Sequence, residues 1–313
     1  MTHDYEALAE GGHVGGLGMQ RRSQGRDHVQ QLDSFYDQGL ISEVLYLVSI
    51  GKEASVYCCA AGRFLAADMS RRLHGWQGGA ALQQSGSPAV QQEAEEAGSG
   101  SPAVAPGRPA GEPAGLVAAK VFRARQYRFK NDAVYQEERT RGMKGQAKRA
   151  LAKKTRFGRE VQTGAWVHHE YEVLKELHDA GCDVPRPLAA AGDAILLEFV
   201  GDEEGPAPQL QRVALNREDA EEQFERTMRN VEIALSLNRI HGDLSAHNIL
   251  WWGGRVVLID FPQAVDARFN SQAQQLLERD IANVVRYFSQ FGVRAEAWRL
   301  SRDLWRRYMR AEL

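Results

Sequence analysis

Apolar residues recur along this chain with two different periods, and the change of period organises it. LISEVLYLVSIGKEASVYCCA, 40–60, sets β-branched and aromatic residues on either side of Gly51-Lys52-Glu53, which predicts two strands joined by a turn. LVAAKVF, 116–122, and AILLEFV, 194–200, read as further strands. A helix is expected over about 160–179, with Trp166, Glu170, Val173, Leu174 and Leu177 on one face, and Pro185 and Pro187 behind it as breakers. Asn216, with Asp219 three residues on, is a capping-box-like start for a helix reaching about 239, whose apolar face is Ala220, Phe224, Met228, Val231 and Leu235. RVVLID, 255–260, is a strand, and helices near 272–290 and 295–311 follow. Strands come first and helices later. The expected fold class is therefore α+β, a small β-rich lobe joined to a helical lobe with the ligand between them. The boundaries read as a flexible tail over 1–32, an N-lobe over 33–200 and a helical C-lobe over 201–313.

Composition changes this picture in one place. Residues 75–115 are rich in Gly, Ala, Ser, Gln and Pro, hold five of the ten prolines, and contain SGSPAV twice, at 85–90 and 99–104. Such a stretch cannot bury enough apolar surface to offset its ordering entropy, so a disordered insert over 62–115 is expected. It lies between two strands and reads as a swollen hairpin tip rather than a domain boundary, with a linker role as the alternative. The 313 residues, 43% hydrophobic and 26% charged, otherwise describe a globular chain.

A net charge of −2 gives no global nucleic-acid signature, so positive charge matters only where it is local. It is local in RGMKGQAKRALAKKTRFGR, 141–159, which has eight Lys or Arg and no acid. This run reads either as a solvated basic loop beside the cleft or as a contact for a phosphate-rich partner such as ribosomal RNA. Phe157 is its only aromatic residue, so base stacking there is weak. Of the three cysteines, Cys58 and Cys59 are adjacent in a strand and point to opposite faces. That pattern argues against a disulfide framework or a zinc site. With neither a signal-type nor a membrane-length apolar run, it points to the cytoplasm.

Lys120 sits mid-strand among apolar neighbours, where an ammonium needs a partner unless it snorkels outward. Glu170 is a carboxylate within an apolar helix stripe, so the two invite pairing. In HGDLSAHNIL, 241–250, Asp243 is placed to act as a general base, and Asn248 offers an amide oxygen five residues later. Asp260 offers a carboxylate at a strand end. Singly, each could be a loop-capping polar group. Together, with Lys120 and Glu170 upstream, they have the spacing of magnesium-assisted phosphoryl transfer.

HGDLSAHNIL, LIDFPQAV, ERDIANVVRYF and LISEVLYLVSIGKEASVY resemble the RIO family of atypical serine/threonine protein kinases, closest to its first subfamily, over roughly residues 33–292 without the insert. GPAPQL, 205–210, matches that family's segment after the hinge. The resemblance implies a bilobal protein-kinase-like fold that uses ATP and Mg2+, or Mn2+. It implies Lys120 as the phosphate-binding lysine with Glu170 as its helix partner, and Glu198 and Val200 as hinge residues whose backbones meet adenine. It implies Asp243 as the catalytic aspartate, and Asn248 and Asp260 as metal ligands, with Asp260 also the candidate for a phosphorylated intermediate. SIGKEAS, 49–55, resembles the phosphate-covering loop. Gly51 is its only glycine, and Lys52 and Ser55 offer phosphate contacts or merely form a turn. Gly242 stands where typical protein kinases have arginine, and Phe261-Pro262 where Phe-Gly is usual. About ten residues separate Asp260 from the next helix, too few for a long activation segment. Asp280 either braces the catalytic loop or is an exposed acid, and His168 and His169 read as surface residues. The partners implied are a protein substrate, or the chain itself, and ribosomal particles. Two other classes compete: a small-molecule phosphotransferase of the aminoglycoside or choline type, and a non-catalytic assembly factor gated by ATP.

Overall fold

The computed structural model describes residues 29–65, 115–123 and 156–313, with side chains from 164 in the last segment. Most of the expected tail, the insert over 66–114 and the basic run as far as 155 lie outside the described residues.

The first half builds one antiparallel sheet. Its strands are β1 (Ile41–Ile50), β2 (Ala54–Ala61), β3 (Leu116–Phe122), β4 (Pro187–Ala191) and β5 (Ala194–Glu198), in the spatial order β1-β2-β3-β5-β4. The turn between β1 and β2 is the expected Gly51-Lys52-Glu53, and β3 has the expected bounds. The strand β4 is not expected from the sequence. Its apolar content is a run of alanines behind Pro187, too weak in side-chain signal to read as a strand, and pairing with β5 makes it one.

Both faces of the sheet are covered, and alternation along β2 and β3 sorts their side chains. Cys59, Val117, Ala119 and Val121 face one side, where the short helix α1 (Asp33–Asp37) and the turn before it bring Phe35 and Leu32. Residues 29–32, read from sequence as tail, thus include Leu32 with no exposed surface. Cys58 and Ala118 face the other side with Val56 and Phe199.

Helix α2 (Arg156–Asp179) starts earlier than expected and takes the last residues of the basic run with it. Val167 and Tyr171 pack on the sheet with Phe122 and Ile195, while Val173, Leu174 and Leu177 belong to the core of the helical part. Each fully buried leucine contributes about 2 kcal/mol of transfer free energy, so one helix is anchored in both halves.

The hairpin β6 (Gly201–Asp202) and β7 (Gly205–Pro206) follows β5. Gly201 has φ 147°, and a Cβ there would collide with the carbonyl of Gly205, so this tight turn demands glycine. The helical half is α3 (Arg217–Ser236), α4 (Ala273–Ser289) and α5 (Ala297–Met309). Between them lie the pairs β8 (Arg239–Ile240) with β11 (Val265–Asp266), and β9 (Ile249–Trp252) with β10 (Arg255–Leu258). Asn216 caps α3 as its spacing predicts, accepting the Asp219 N–H at 2.8 Å. The predicted face of α3 is the packed one: Ala220, Val231 and Leu235 are buried, and Phe224 and Met228 pack against them. Among the described residues no helix is long and apolar enough to cross a membrane.

Candidate active site

The strand β3 carries Lys120 to the face of the sheet that looks towards the helical half. Its ammonium donates to both Glu170 oxygens, at 2.7 and 3.0 Å, and to Asp260 Oδ1 at 2.6 Å. Lys120 is 7% exposed and Glu170 1%, so the outward-snorkelling alternative is excluded by position. Burial alone would lower the lysine pKa; the two carboxylates, Asp260 and Glu170, reverse this and raise it above the ordinary value. Burial pushes Glu170 up against the pull of Lys120. At Asp260 burial also pushes upward, but Lys120 outweighs it and the carboxyl lies below the usual range.

Asp260 follows β10 with φ 70°, a left-handed conformation that aspartate tolerates better than most residues. The next N–H, that of Phe261, donates to Glu170 Oε1 at 3.1 Å. One glutamate therefore fixes Lys120 and the turn that aims Asp260, whose side chain remains 44% exposed.

The loop holding Asp243 and Asn248 lies between β8 and β9. Asp243 is exposed, and Asn248 Nδ2 donates to its carbonyl at 2.9 Å and towards its Oδ2 at 3.4 Å. The amide nitrogen of Asn248 is thus used as a donor, and its side-chain oxygen is the acceptor end of the group. His241, which sequence reasoning did not single out, is buried and packs against Phe261, with ring centroids 4.4 Å apart and planes tilted by 42°. Burial lowers its pKa, so the ring is neutral. Nε2–H donates to the Ile259 carbonyl at 3.1 Å, and Nδ1 accepts the Asp243 N–H at 3.3 Å, one consistent tautomer. The histidine thereby ties the loop to the turn carrying Asp260.

Asp280 takes the first of its two expected alternatives. It is 2% exposed in α4 and accepts the N–H groups of Gly242 at 2.8 Å and Leu244 at 3.2 Å. Burial raises its pKa to about 7 against these bonds. Asn283, one turn on, donates to the Leu244 carbonyl at 3.1 Å.

Other expected residues lie apart from this cluster. Lys52 is exposed in the β1–β2 turn. Ser55 pairs with Val121 across the sheet, whereas Val56 pairs with Lys120; Ser55 therefore projects from the face opposite Lys120, and its hydroxyl accepts from Arg123 at 2.8 Å. Glu198 is exposed; its Oε2 accepts the Arg186 N–H at 3.2 Å and its own N–H donates to the Arg186 carbonyl at 2.8 Å. The Val200 carbonyl accepts the Ala207 N–H at 2.9 Å. His168 is exposed as expected, but His169 is half-buried with a ring nitrogen 2.9 Å from the Ala264 carbonyl, so helix α2 also grips the segment after Asp260.

A β-rich and a helical half joined at 198–201, with a lysine–glutamate pair in one and an Asp/Asn loop in the other, define a protein-kinase-like fold. The chain belongs to the RIO domain family, whose model matches residues 107–300. It is 32% identical over 182 residues to the RIO-type serine/threonine-protein kinase Rio1 of Thermoplasma acidophilum, covering 58% of this chain and 89% of that one. It is 35% identical over 135 residues to the RIO-type kinase Rio2 of Methanocaldococcus jannaschii, covering 43% of this chain and 49% of that protein. Against the serine/threonine-protein kinase RIO1 of Caenorhabditis elegans, at 31% over 129 residues, the match takes in 41% of this chain and 25% of that protein's length. The fold is similar to the crystal structure of the Rio2 kinase–ADP/Mg2+–phosphoaspartate complex from Chaetomium thermophilum, with TM-score 0.54, 15% identity, and 87% of this chain and 64% of that one covered.

Proposed function

We propose that this protein is an ATP- and Mg2+-dependent serine/threonine protein kinase or ATPase of RIO type. The observation that carries the reading is Lys120 held between Glu170 and Asp260, across two halves of the fold, beside the loop of Asp243 and Asn248. The ammonium faces two carboxylates, and Asp243 adds a third in the neighbouring loop. That excess of negative charge suits a hard divalent cation with oxygen ligands. The Asp260 carboxylate and the Asn248 amide oxygen fit that cation, with Mn2+ as its substitute; bound there, it would neutralise charge developing on the transferring phosphoryl group.

The chain's own residues supply the rest. Glu170 keeps Lys120 charged and directed into the cleft, where it meets the nucleotide phosphates. Asp243, exposed at the cleft, accepts the proton of the attacking hydroxyl. Asp260 stays ionised at neutral pH and can itself attack the terminal phosphorus, forming a carboxyl–phosphate bond as the bond to ADP breaks. Water then cleaves the acyl phosphate. The phosphoaspartate of the Chaetomium thermophilum Rio2 complex supports this second route, which gives ATPase turnover without a protein acceptor. Glu198 and Val200 present hinge backbone to the base. We place the protein in the cytoplasm, with a protein substrate or the chain itself as acceptor and pre-ribosomal particles as a partner through the basic run.

The test is incubation with γ-labelled ATP and Mg2+. Wild type should transfer label to protein or release phosphate, and Asp243→Ala should lower transfer by about 100-fold or more with nucleotide still bound. Protein-bound label that hydroxylamine removes marks an aspartyl phosphate; label that survives hydroxylamine marks a phosphorylated hydroxyl. Wild-type binding with no transfer and no release would sink the reading in favour of an ATP-gated assembly factor.

A further inference from the structure

Gly242 removes the arginine that typical protein kinases carry next to the catalytic aspartate, yet a guanidinium still reaches this point. Arg279, on α4, donates from its terminal nitrogen to the Gly242 carbonyl. Its own neighbour Asp280 lies 3.6 Å from the same guanidinium and holds the Gly242 N–H at 2.8 Å. Gly242 has φ 78°, so the chain turns here in a conformation that leaves its carbonyl open to α4.

The consequence lies one peptide further on. The Gly242 carbonyl and the Asp243 N–H belong to one planar peptide unit. Arg279 holds the oxygen end of that plane, and His241 Nδ1 accepts from its nitrogen end at 3.3 Å. A planar group held at both edges cannot rotate about the chain, so the direction in which the Asp243 side chain leaves the backbone is set. The peptide on the other side of Asp243 is held as well, its carbonyl by Asn248 Nδ2 at 2.9 Å and its Leu244 N–H by Asp280 at 3.2 Å, while the exposed Asp243 carboxylate is approached by Asn248 Nδ2 at 3.4 Å. Asn283 binds the Leu244 carbonyl, one peptide beyond the aspartate. Arg279 is the charged group on the carbonyl of the peptide that precedes it.

We infer that Arg279 is a positioning residue for phosphoryl transfer, fixing the Gly242–Asp243 peptide plane and through it the candidate base. This rests on the kinase reading above. A charge-assisted bond to a carbonyl suits the task because it is directional and does not titrate near neutral pH.

The test compares Arg279→Met, Arg279→Lys and, as a control at an exposed position of the same helix, Gln275→Met, in the full chain. Four quantities are read: kcat, KM for ATP, thermal midpoint, and hydrogen exchange of the peptide spanning 240–248. Arg279→Met should lower kcat by about 10- to 100-fold, the scale of a small misplacement of a reacting group, while KM for ATP moves less than about 3-fold. Exchange at 240–248 should quicken, and Gln275→Met should change neither kcat nor exchange. Arg279→Lys should recover part of kcat, since an ammonium can reach the same carbonyl with one donor. Unchanged kcat and exchange in Arg279→Met would overturn the inference. So would a kcat loss matched by an equal fall in thermal midpoint and in ATP affinity, which marks a merely structural arginine. If wild type turns over no ATP, the kinase reading fails by itself; exchange still reports whether Arg279 orders the loop.

Discussion

Lys120 is the residue on which the site's electrostatics turn. It is buried and faces two carboxylates, so removing it strands charge in the interior. Breaking a buried pair from one side costs about 3–5 kcal/mol. Lys120→Met should therefore destabilise the fold by that order in urea denaturation, besides abolishing transfer. Lys120→Met combined with Glu170→Leu should recover most of the loss, because the orphaned carboxylate goes with its partner. A double variant no more stable than the single one would show that Asp260, not Glu170, holds the balance. Asp280 gives a pH prediction of definite sign. Its folded pKa, about 7, lies above the unfolded value of about 4, so the unfolded chain gives up that proton first as pH rises. The contribution is complete in acid and is lost as pH climbs from about 4 through 7. Asp280→Asn should remove that fall from the stability–pH curve, checked by denaturation at pH 5 and pH 8, at the cost of one of the two N–H bonds to the loop.

At the level of elements, the parts legible in sequence were those with local signatures. Asn216 accepts the Asp219 N–H as the first half of a capping box predicts, and the return contact runs side chain to side chain, Asn216 Nδ2 donating to Asp219 Oδ2 at 2.7 Å. Asn216→Ala should cost about 1 kcal/mol in thermal denaturation. The stripe from Trp166 to Leu177 was readable because burial at helical spacing leaves a pattern, and Glu170 stood out as the exception within it. The Asp243, Asn248 and Asp260 set stood out as a candidate because its spacing is set by loop and hairpin geometry. What was illegible depends on contacts between distant segments. β4 is a strand only because β5 lies beside it. Ser55 projects from the face opposite Lys120 because sheet parity, not proximity to Lys52, decides its direction. His241 and Arg279 are unremarkable in sequence. Their roles appear only when α4 and the turn after β10 come against the loop.

At the scale of the whole molecule, two charged straps among the contacts that join the β-rich half to the helical half bear on the site. One is the Lys120 bridge. The other is Asp183, in the short connection from α2 to β4. Its carboxylate receives Arg226 twice, at 2.8 and 2.7 Å, and Asn230 Nδ2 at 2.9 Å. Its backbone N–H donates to Asn230 Oδ1 at 2.9 Å, and its carbonyl accepts the Leu258 N–H at 2.8 Å. The connection into β4 is thereby fixed to α3 and to the end of β10, two residues before Asp260. Burial pushes the Asp183 pKa up, but the bonds from Arg226 and Asn230 outweigh it and the carboxyl lies below its ordinary value. The sign is opposite to that of Asp280. Asp183 adds stability above the unfolded pKa of about 4, and that stability disappears as acid protonates the folded carboxylate. Asp183→Asn should therefore lower stability at pH 7 and flatten its fall on acidification, measured as denaturation midpoints from pH 7 down to pH 3. If the strap also sets the approach of the two halves, Asp183→Asn should weaken ATP binding even though the residue lies outside the Lys120 cluster. A variant that loses acid sensitivity but binds ATP as wild type does would confine Asp183 to holding the fold, and would leave the alignment of the halves to Lys120 and to the grip of α2 on the segment after Asp260.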